Sequence, residues 1–279
     1  MSEQPAPIDD ARGVEAGEEL ACLDGRVLSA AEATVPVTDE GFLRGDGAFE
    51  VIRVYHGKPF ALPEHLDRIE RSAAGLRLDG PVPRAEVERE AATLLEARGG
   101  DGAFDGCLRV VLTRGGRRLL LTEPVPPSPD RIRLGFVTYS PTRVLDGIKS
   151  LSYAANMLSS RLARERGFDE ALLVTPHGRV LEAPTASIFF AAGDGVLVTP
   201  PLDDHILASI TRERVRDLVD VEERHATPDD LLAAREAFLA STTREVQPVA
   251  AIEDRELPVG ELTGEAAAVL RSHIEASLT

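Results

Sequence analysis

Along "LPEHLDRIERSAAGLRL" the apolar positions Leu66, Ile69, Ala73 and Leu76 recur at helical spacing, with Pro63 near the start, and predict a helix. "PRAEVEREAATLLEAR" repeats the pattern with Val87, Ala91, Leu94 and Leu95 and stops before Gly99-Gly100. Further helices are predicted over "SYAANMLSSRLARERG", ending at Gly167, over "TRERVRDLV" and "DDLLAA", and over the closing "GEAAAVLRSHIEASL". Between them lie β-branched, apolar runs broken by turn dipeptides. "CLDGRVLSA" predicts a short hairpin around Asp24-Gly25, "AFEVIRVYHGKPFAL" two strands around His56-Gly57, and "CLRVVLTRGGRRLLL" a hairpin around Gly115-Gly116. "RIRLGFVTYS" reads as a strand, "EALLVTPHGRVLEA" and "SIFFAAGDGVLVTP" as consecutive hairpins, and "EAFLASTTREVQPVAAI" as two strands joined by a turn. Strands alternate irregularly with helices, so the fold class is α/β (α+β mixed).

The stretch "TEPVPPSPD" holds four prolines in nine residues, too many for a helix or a central strand. It predicts a linker over 123–130, between a small N-terminal α/β domain at 21–122 and a larger β-rich domain at 131–279. Residues 1–20 are acidic and lack the basic-then-apolar order of a signal peptide; they read as a disordered extension.

Charge narrows the partners. The 279 residues carry a net charge of −16, which argues against nucleic acid or an anionic membrane, both of which need a basic face. No segment approaches the roughly 18 consecutive apolar residues that span a bilayer. Cys22 and Cys107 form no CxxC pair, which suits a reducing compartment, and a cytoplasmic location is expected. The six histidines show no metal-ligand spacing, so no metal is expected. Neither a phosphate-loop glycine motif nor a nucleophile elbow is present.

One bias does point to chemistry. Of 31 basic side chains only Lys58 and Lys149 are lysines. Lys58 sits in the turn "YHGKPF"; Lys149, in "LDGIKSLSYAANML", precedes a helix. Lysine can lose its proton at modest cost and condense with a carbonyl, whereas arginine effectively cannot. A lysine spared here is a candidate for a place where the amine itself is needed, but on this bias alone the ordinary reading, a solvated surface lysine, is the stronger one. A Schiff-base enzyme would also need an acid beside the cofactor's ring nitrogen and a phosphate cradle of arginine, hydroxyls and helix-terminal amides.

Taken in order, "VTDEGFLRGDGAFEVIRVYHGKPFALPEHLDRIERSA", "IKSLSYAANMLSSRLARERGFDEALLVTPHGRVLEAPTASIFF", "ILASITRERV" and "STTREVQPV" resemble the class IV, fold-type IV enzymes of pyridoxal 5'-phosphate (PLP). That family includes branched-chain and D-amino-acid aminotransferases, (R)-selective amine transaminases and aminodeoxychorismate lyase. The resemblance runs from about Cys22 to the C-terminus and implies a two-domain fold-type IV architecture with PLP held in the large domain. It implies that Lys149 is the Schiff-base lysine and shuttles the substrate Cα proton. Glu182 matches the acid at the pyridine nitrogen and Arg68 the phosphate arginine. Ile210 and Thr211 open a phosphate-binding helix, and Thr242 supplies a second phosphate hydroxyl. Leu207 packs on the ring, and Tyr153 donates to the phenolic oxygen. Each also has an ordinary reading: Arg68 as a helix-surface cation, Thr211 as a cap, Tyr153 and Leu207 as core. The run "EAPTAS" departs from the family's E-G-x-x-x-N at Ala183 and Ser187, and "SITR" departs from G-I-T-R at Ser209.

The resemblance implies aminotransfer between an amino acid of D or branched-chain type, or a primary amine, and a 2-oxoacid. Elimination by an aminodeoxychorismate lyase, suggested by "KSLSYAAN", is the alternative, and a non-catalytic homologue a further one. "TRGGRRLLL" lacks the histidine of the D-amino-acid branch's carboxylate trap, and aromatic residues make up only 4% of the chain, which leaves the branched-chain pocket without an evident signature. Arg109 is the first candidate for the substrate carboxylate, with Arg44, Arg117, Thr243 and Arg244 behind it. Pairing as a homodimer, with active sites near the interface, is likewise what the resemblance implies.

Overall fold

A computed structural model of the chain describes residues 19–80, 82–99 and 104–278. The expected N-terminal extension lies outside the described residues as far as residue 18, and Leu20 already opens the first strand. The chain divides into two compact units, one of Met1–Val125 with Ile148–Ser152, the other of Pro126–Gly147 with Tyr153–Thr279. The first break falls inside the proline-rich stretch. The lysine-bearing pentapeptide returns to the first unit.

In the first unit, β1 (Leu20–Leu23), β2 (Arg26–Ser29), β3 (Gly47–Tyr55), β4 (Lys58–Pro59), β5 (Gly106–Thr113) and β6 (Arg118–Glu123) form one sheet in the order β2-β1-β6-β5-β3-β4. Every pairing is antiparallel. Side chains alternate across β3: Ala48, Ile52 and Val54 enter the core, while Phe49, Val51 and Arg53 take the other face. Two helices cover the core face, α2 (Leu62–Gly75) and α3 (Arg84–Gly99), through Leu66, Ile69, Val87 and Leu94. These are the helical-spacing residues read from the sequence. A five-residue helix that periodicity cannot reveal, α1 (Glu40–Arg44), is capped by Asp39, whose side chain accepts from Gly41 N.

The second unit is built on a sheet of β7 (Ile132–Thr138), β8 (Glu170–Val174), β9 (Ser187–Ala191), β10 (Leu197–Thr199), β11 (Glu222–Glu223), β12 (Ala237–Ser241) and β13 (Glu245–Ile252), with β14 (Arg255–Glu256) on β13. Its order is β11-β10-β9-β12-β13-β7-β8. β7 runs parallel to both β8 and β13. β9 and β12 are buried at every position, so their unbroken apolar runs face covered surfaces on both sides, and Phe189 stacks on Phe238 with centroids 4.9 Å apart. Around the sheet pack α4 (Ala154–Glu165), α5 (Ile210–Leu218), α6 (Pro228–Leu232) and α7 (Glu261–Leu278). The return arm expected after "VTPHG" forms only an isolated bridge, Val174 to Val180, rather than a strand.

Candidate active site

Lys149 is fixed by its backbone. Phe49 N donates to Lys149 O (3.1 Å), Leu151 N donates to Gly47 O (2.8 Å), and the Lys149 amide donates to Ser72 Oγ on α2 (3.1 Å). The pentapeptide thus docks along the near end of β3, with Ala48 bridged to Ser150. Gly147, at φ +73°, turns the chain into it. Nζ lies 4.4 Å from the centroid of the Phe49 ring, within cation–π range. The side chain is half-buried.

Behind β3 sits a buried charge cluster that the sequence reading did not assign. Arg68 Nε and Nη2 donate to the two carboxylate oxygens of Glu50 at 2.6 Å each, and His65 Nδ1 lies 2.8 Å from Glu50 Oε2. All three are buried. Burial opposes ionisation of Glu50, but the hydrogen bonds and charges of Arg68 and His65 outweigh it and hold its carboxyl at about 2. Burial pushes the His65 imidazole below its ordinary value, and the nearby charges of Arg68 and Lys149 add to this against Glu50. Arg68, expected at a phosphate, is therefore also clamped in a fixed orientation by an acid.

The candidate substrate cations are engaged as well. Arg109 Nε contacts both oxygens of Glu123 (3.0 and 2.9 Å), and its guanidinium lies 5.6 Å from the Phe49 centroid. Arg44, largely exposed, pairs with Glu40 at 2.8 Å, and Arg117 with Asp24 at 2.7 Å. In the second unit Arg244 contacts Gln247, Glu170 and Thr185, in the same β12–β13 turn as Thr243.

The remaining candidates lie in the second unit. Glu182 Oε1 accepts from Leu207 N at 3.1 Å, which orients the carboxylate and places Leu207 beside it. Burial, and then the charge of Glu182, raise the Tyr139 hydroxyl above its ordinary value. The Tyr153 hydroxyl donates to Pro184 O at 2.7 Å, so its proton is held within the chain. Ile210 and Thr211 begin α5, where the first amides lack intrahelical acceptors, and Ser209 caps the helix by accepting from Arg212 N. Thr211 is buried. α5 packs on β12, whose last residue, Ser241, has a buried hydroxyl with no hydrogen-bond partner, next to the half-buried Thr242. Elsewhere in this unit Asp203, Asp204 and His225 bring their ligand atoms within 4.8 Å of one another. Arg179 Nε lies 3.4 Å from Asp204 and supplies the positive charge there.

Taken unit by unit, these groups suit the parts of a phosphorylated, basic heteroaromatic aldehyde, its ring and phosphate in the second unit and its aldehyde in the first. Open helix-terminal amides, a buried threonine and an orphaned serine hydroxyl suit a phosphate, an oriented carboxylate suits a protonated ring nitrogen, and a fixed lysine suits an aldehyde. The family model of amino-transferase class IV matches residues 47–252. The chain belongs to the class IV aminotransferases. These are PLP-dependent transferases, and no finding favours the lyase alternative. This class IV aminotransferase is 35% identical over 267 residues to a putative branched-chain-amino-acid aminotransferase of Methanocaldococcus jannaschii, covering 86% of this chain and 91% of that one. It is 33% identical over 259 residues to the D-alanine aminotransferase of Bacillus licheniformis, covering 85% and 90%. Its fold matches the branched-chain aminotransferase of Thermoproteus uzoniensis crystallised with norvaline, with a TM-score of 0.86, 30% identity, and coverage of 93% and 96%.

Proposed function

We propose that this class IV aminotransferase carries PLP on Lys149 and moves an amino group between an amino acid of branched-chain or D type and a 2-oxoacid. The observation that supports this most directly is the three-point backbone anchoring of Lys149, which holds a scarce primary amine against the Phe49 ring. Bound PLP supplies an aldehyde that condenses with amines and a ring that takes up the electron pair of the broken Cα–H bond. Glu182 holds the proton at the ring nitrogen, and its bond from Leu207 N keeps that carboxylate aimed. Ile210, Thr211 and Thr242, with Ser241, receive the phosphate, together with Arg68 fixed by Glu50. With PLP bound and a substrate amine in place, Lys149 Nζ would be the group that takes the substrate Cα proton and gives it back. The Phe49 ring face, its centroid 4.4 Å from Nζ, helps hold the lysine amine in place between transfers. Tyr153 and Leu207 wall the ring.

Two further readings belong to the same proposal: the enzyme works as a homodimer, and it is cytoplasmic. Among the described residues no helix is long and apolar enough to cross a membrane, which is compatible with the second.

The deciding variants are Lys149→Ala and Lys149→Arg. Both are expected to lose the visible absorbance of bound PLP and to lower transamination of L-leucine and D-alanine by about 10²–10⁴-fold, the range for removing a proton-transfer group. Retention of both colour and turnover by Lys149→Ala would falsify the assignment. Which of the two donors bleaches the wild-type band, with recovery on adding a 2-oxoacid, identifies the branch.

A further inference from the structure

The face of the first unit's sheet that carries Phe49 also carries Arg109 on β5, placed opposite Val51 of β3, and Glu123 on β6, placed opposite Cys107 of β5. Arg109 and Glu123 are diagonal cross-strand neighbours, one register step apart on one face. Two cations, Lys149 Nζ and the Arg109 guanidinium, lie against the same ring at 4.4 and 5.6 Å from its centroid. A single phenyl group thus links the amine that reacts to a guanidinium placed to read a carboxylate. Yet Arg109 already holds one: both oxygens of Glu123 are at hydrogen-bond distance from its Nε. The side chains of the pair are 33% and 26% exposed, so the pair is open enough to exchange partners.

We propose that Glu123 is a specificity residue: it occupies Arg109 as an internal stand-in for a substrate carboxylate and biases the enzyme against dicarboxylic amino acids and oxoacids. This deepens the aminotransferase reading above and rests on it. The bias has two parts. A tethered carboxylate acts at an effective concentration of about millimolar or higher, so a free dicarboxylate must compete with a partner that never diffuses away. A dicarboxylate that does displace it leaves the Glu123 charge beside its own second carboxylate, and that repulsion costs affinity. A substrate with an apolar side chain meets neither penalty, because it lies against Phe49 and the neighbouring Val51 and Val111 with the ion pair intact.

The test compares two ligands that carry no amine, so that affinity is read without turnover. Glutarate stands for a dicarboxylic substrate and 4-methylvalerate for a branched monocarboxylate, each titrated by calorimetry into PLP-loaded wild type, Glu123→Gln, and Glu123→Gln combined with Arg109→Gln. Glu123→Gln is expected to raise the ratio of glutarate to 4-methylvalerate affinity at least about fivefold, the gain from opening a partly exposed ion pair. The double variant is expected to return the ratio to that of wild type or below, because the freed cation is gone. An unchanged ratio in Glu123→Gln, or an increase that survives the loss of Arg109, overturns the proposal. Thermal melts of the three proteins show that each is folded. Cofactor colour and leucine turnover on the same samples report separately on the aminotransferase reading. If colour never appears, that reading fails, while the affinity ratio in cofactor-free protein still decides the role of Glu123.

Discussion

Glu50 is fully buried, and its depressed carboxyl makes it the residue through which acid should act on this fold. Its folded value of about 2 lies below the ordinary 4.5, so its contribution is complete above pH 4.5 and is lost as the pH falls toward 2. His65 pushes the same way: burial lowers its imidazole below the ordinary 6.5 in the fold, so unfolding lets it take a proton more readily as the pH falls. Denaturation followed from pH 7 to pH 3 should show stability falling, most steeply below the ordinary carboxylate range. Glu50→Gln should cost about 3 kcal/mol at neutral pH, as expected when one partner of a buried pair is removed, and should flatten the acid limb. An acid limb as steep in the variant as in wild type would mean that other carboxylates govern it. The cluster was partly legible. A glutamate at an inward position of β3, between Ala48 and Ile52, breaks the apolar phase, and His65 and Arg68 flank Leu66 on the buried side of α2. Only the fold shows that the three meet. Lys149 stood out by rarity; Glu123 did not, because its meaning depends on the β5–β6 register.

Among the elements, Gly47 is the tightest point of the lysine's support. A Cβ there would lie 2.4 Å from Leu112 O and 2.7 Å from Leu151 Cδ1, and the first of these is backbone that cannot swing away. Gly47→Ala should therefore lower stability by about 1–3 kcal/mol in urea denaturation and loosen the pentapeptide at the same time. Ser72→Ala, which removes only the acceptor of the Lys149 amide, should cost about 1 kcal/mol. If Gly47→Ala is no worse than Ser72→Ala, the close approach at β3 is softer than the distances imply. Helices with a clear apolar stripe, such as α2, were readable from the sequence because burial of one face sets the spacing. α1 was not, since five residues are too few to show a period. The parallel pairing of β7 with β8 and β13 leaves no mark in the local pattern either, because direction is chosen by the connections.

For the whole molecule, the proposed homodimer should sediment at twice the 30.0 kDa chain mass, and a single species at 30.0 kDa over the micromolar range would count against it. The net charge of −16 should keep the enzyme from binding nucleic acid at physiological salt. The prolines at 124–129 mark the expected linker and the first break between the units falls at Val125–Pro126, whereas nothing in the sequence signals the return of Ile148–Ser152 to the first unit, because a five-residue docking strand looks like any other loop. That return sets an order on synthesis. When the ribosome has released Val125, Gly47 O and Phe49 N at the near end of β3 have yet to meet Leu151 N and Lys149 O. All of Pro126–Gly147, which belongs to the other unit, must emerge before the lysine-bearing pentapeptide can close that edge. The nascent chain therefore carries an open strand edge, the feature that invites mispairing, until Lys149 has been made.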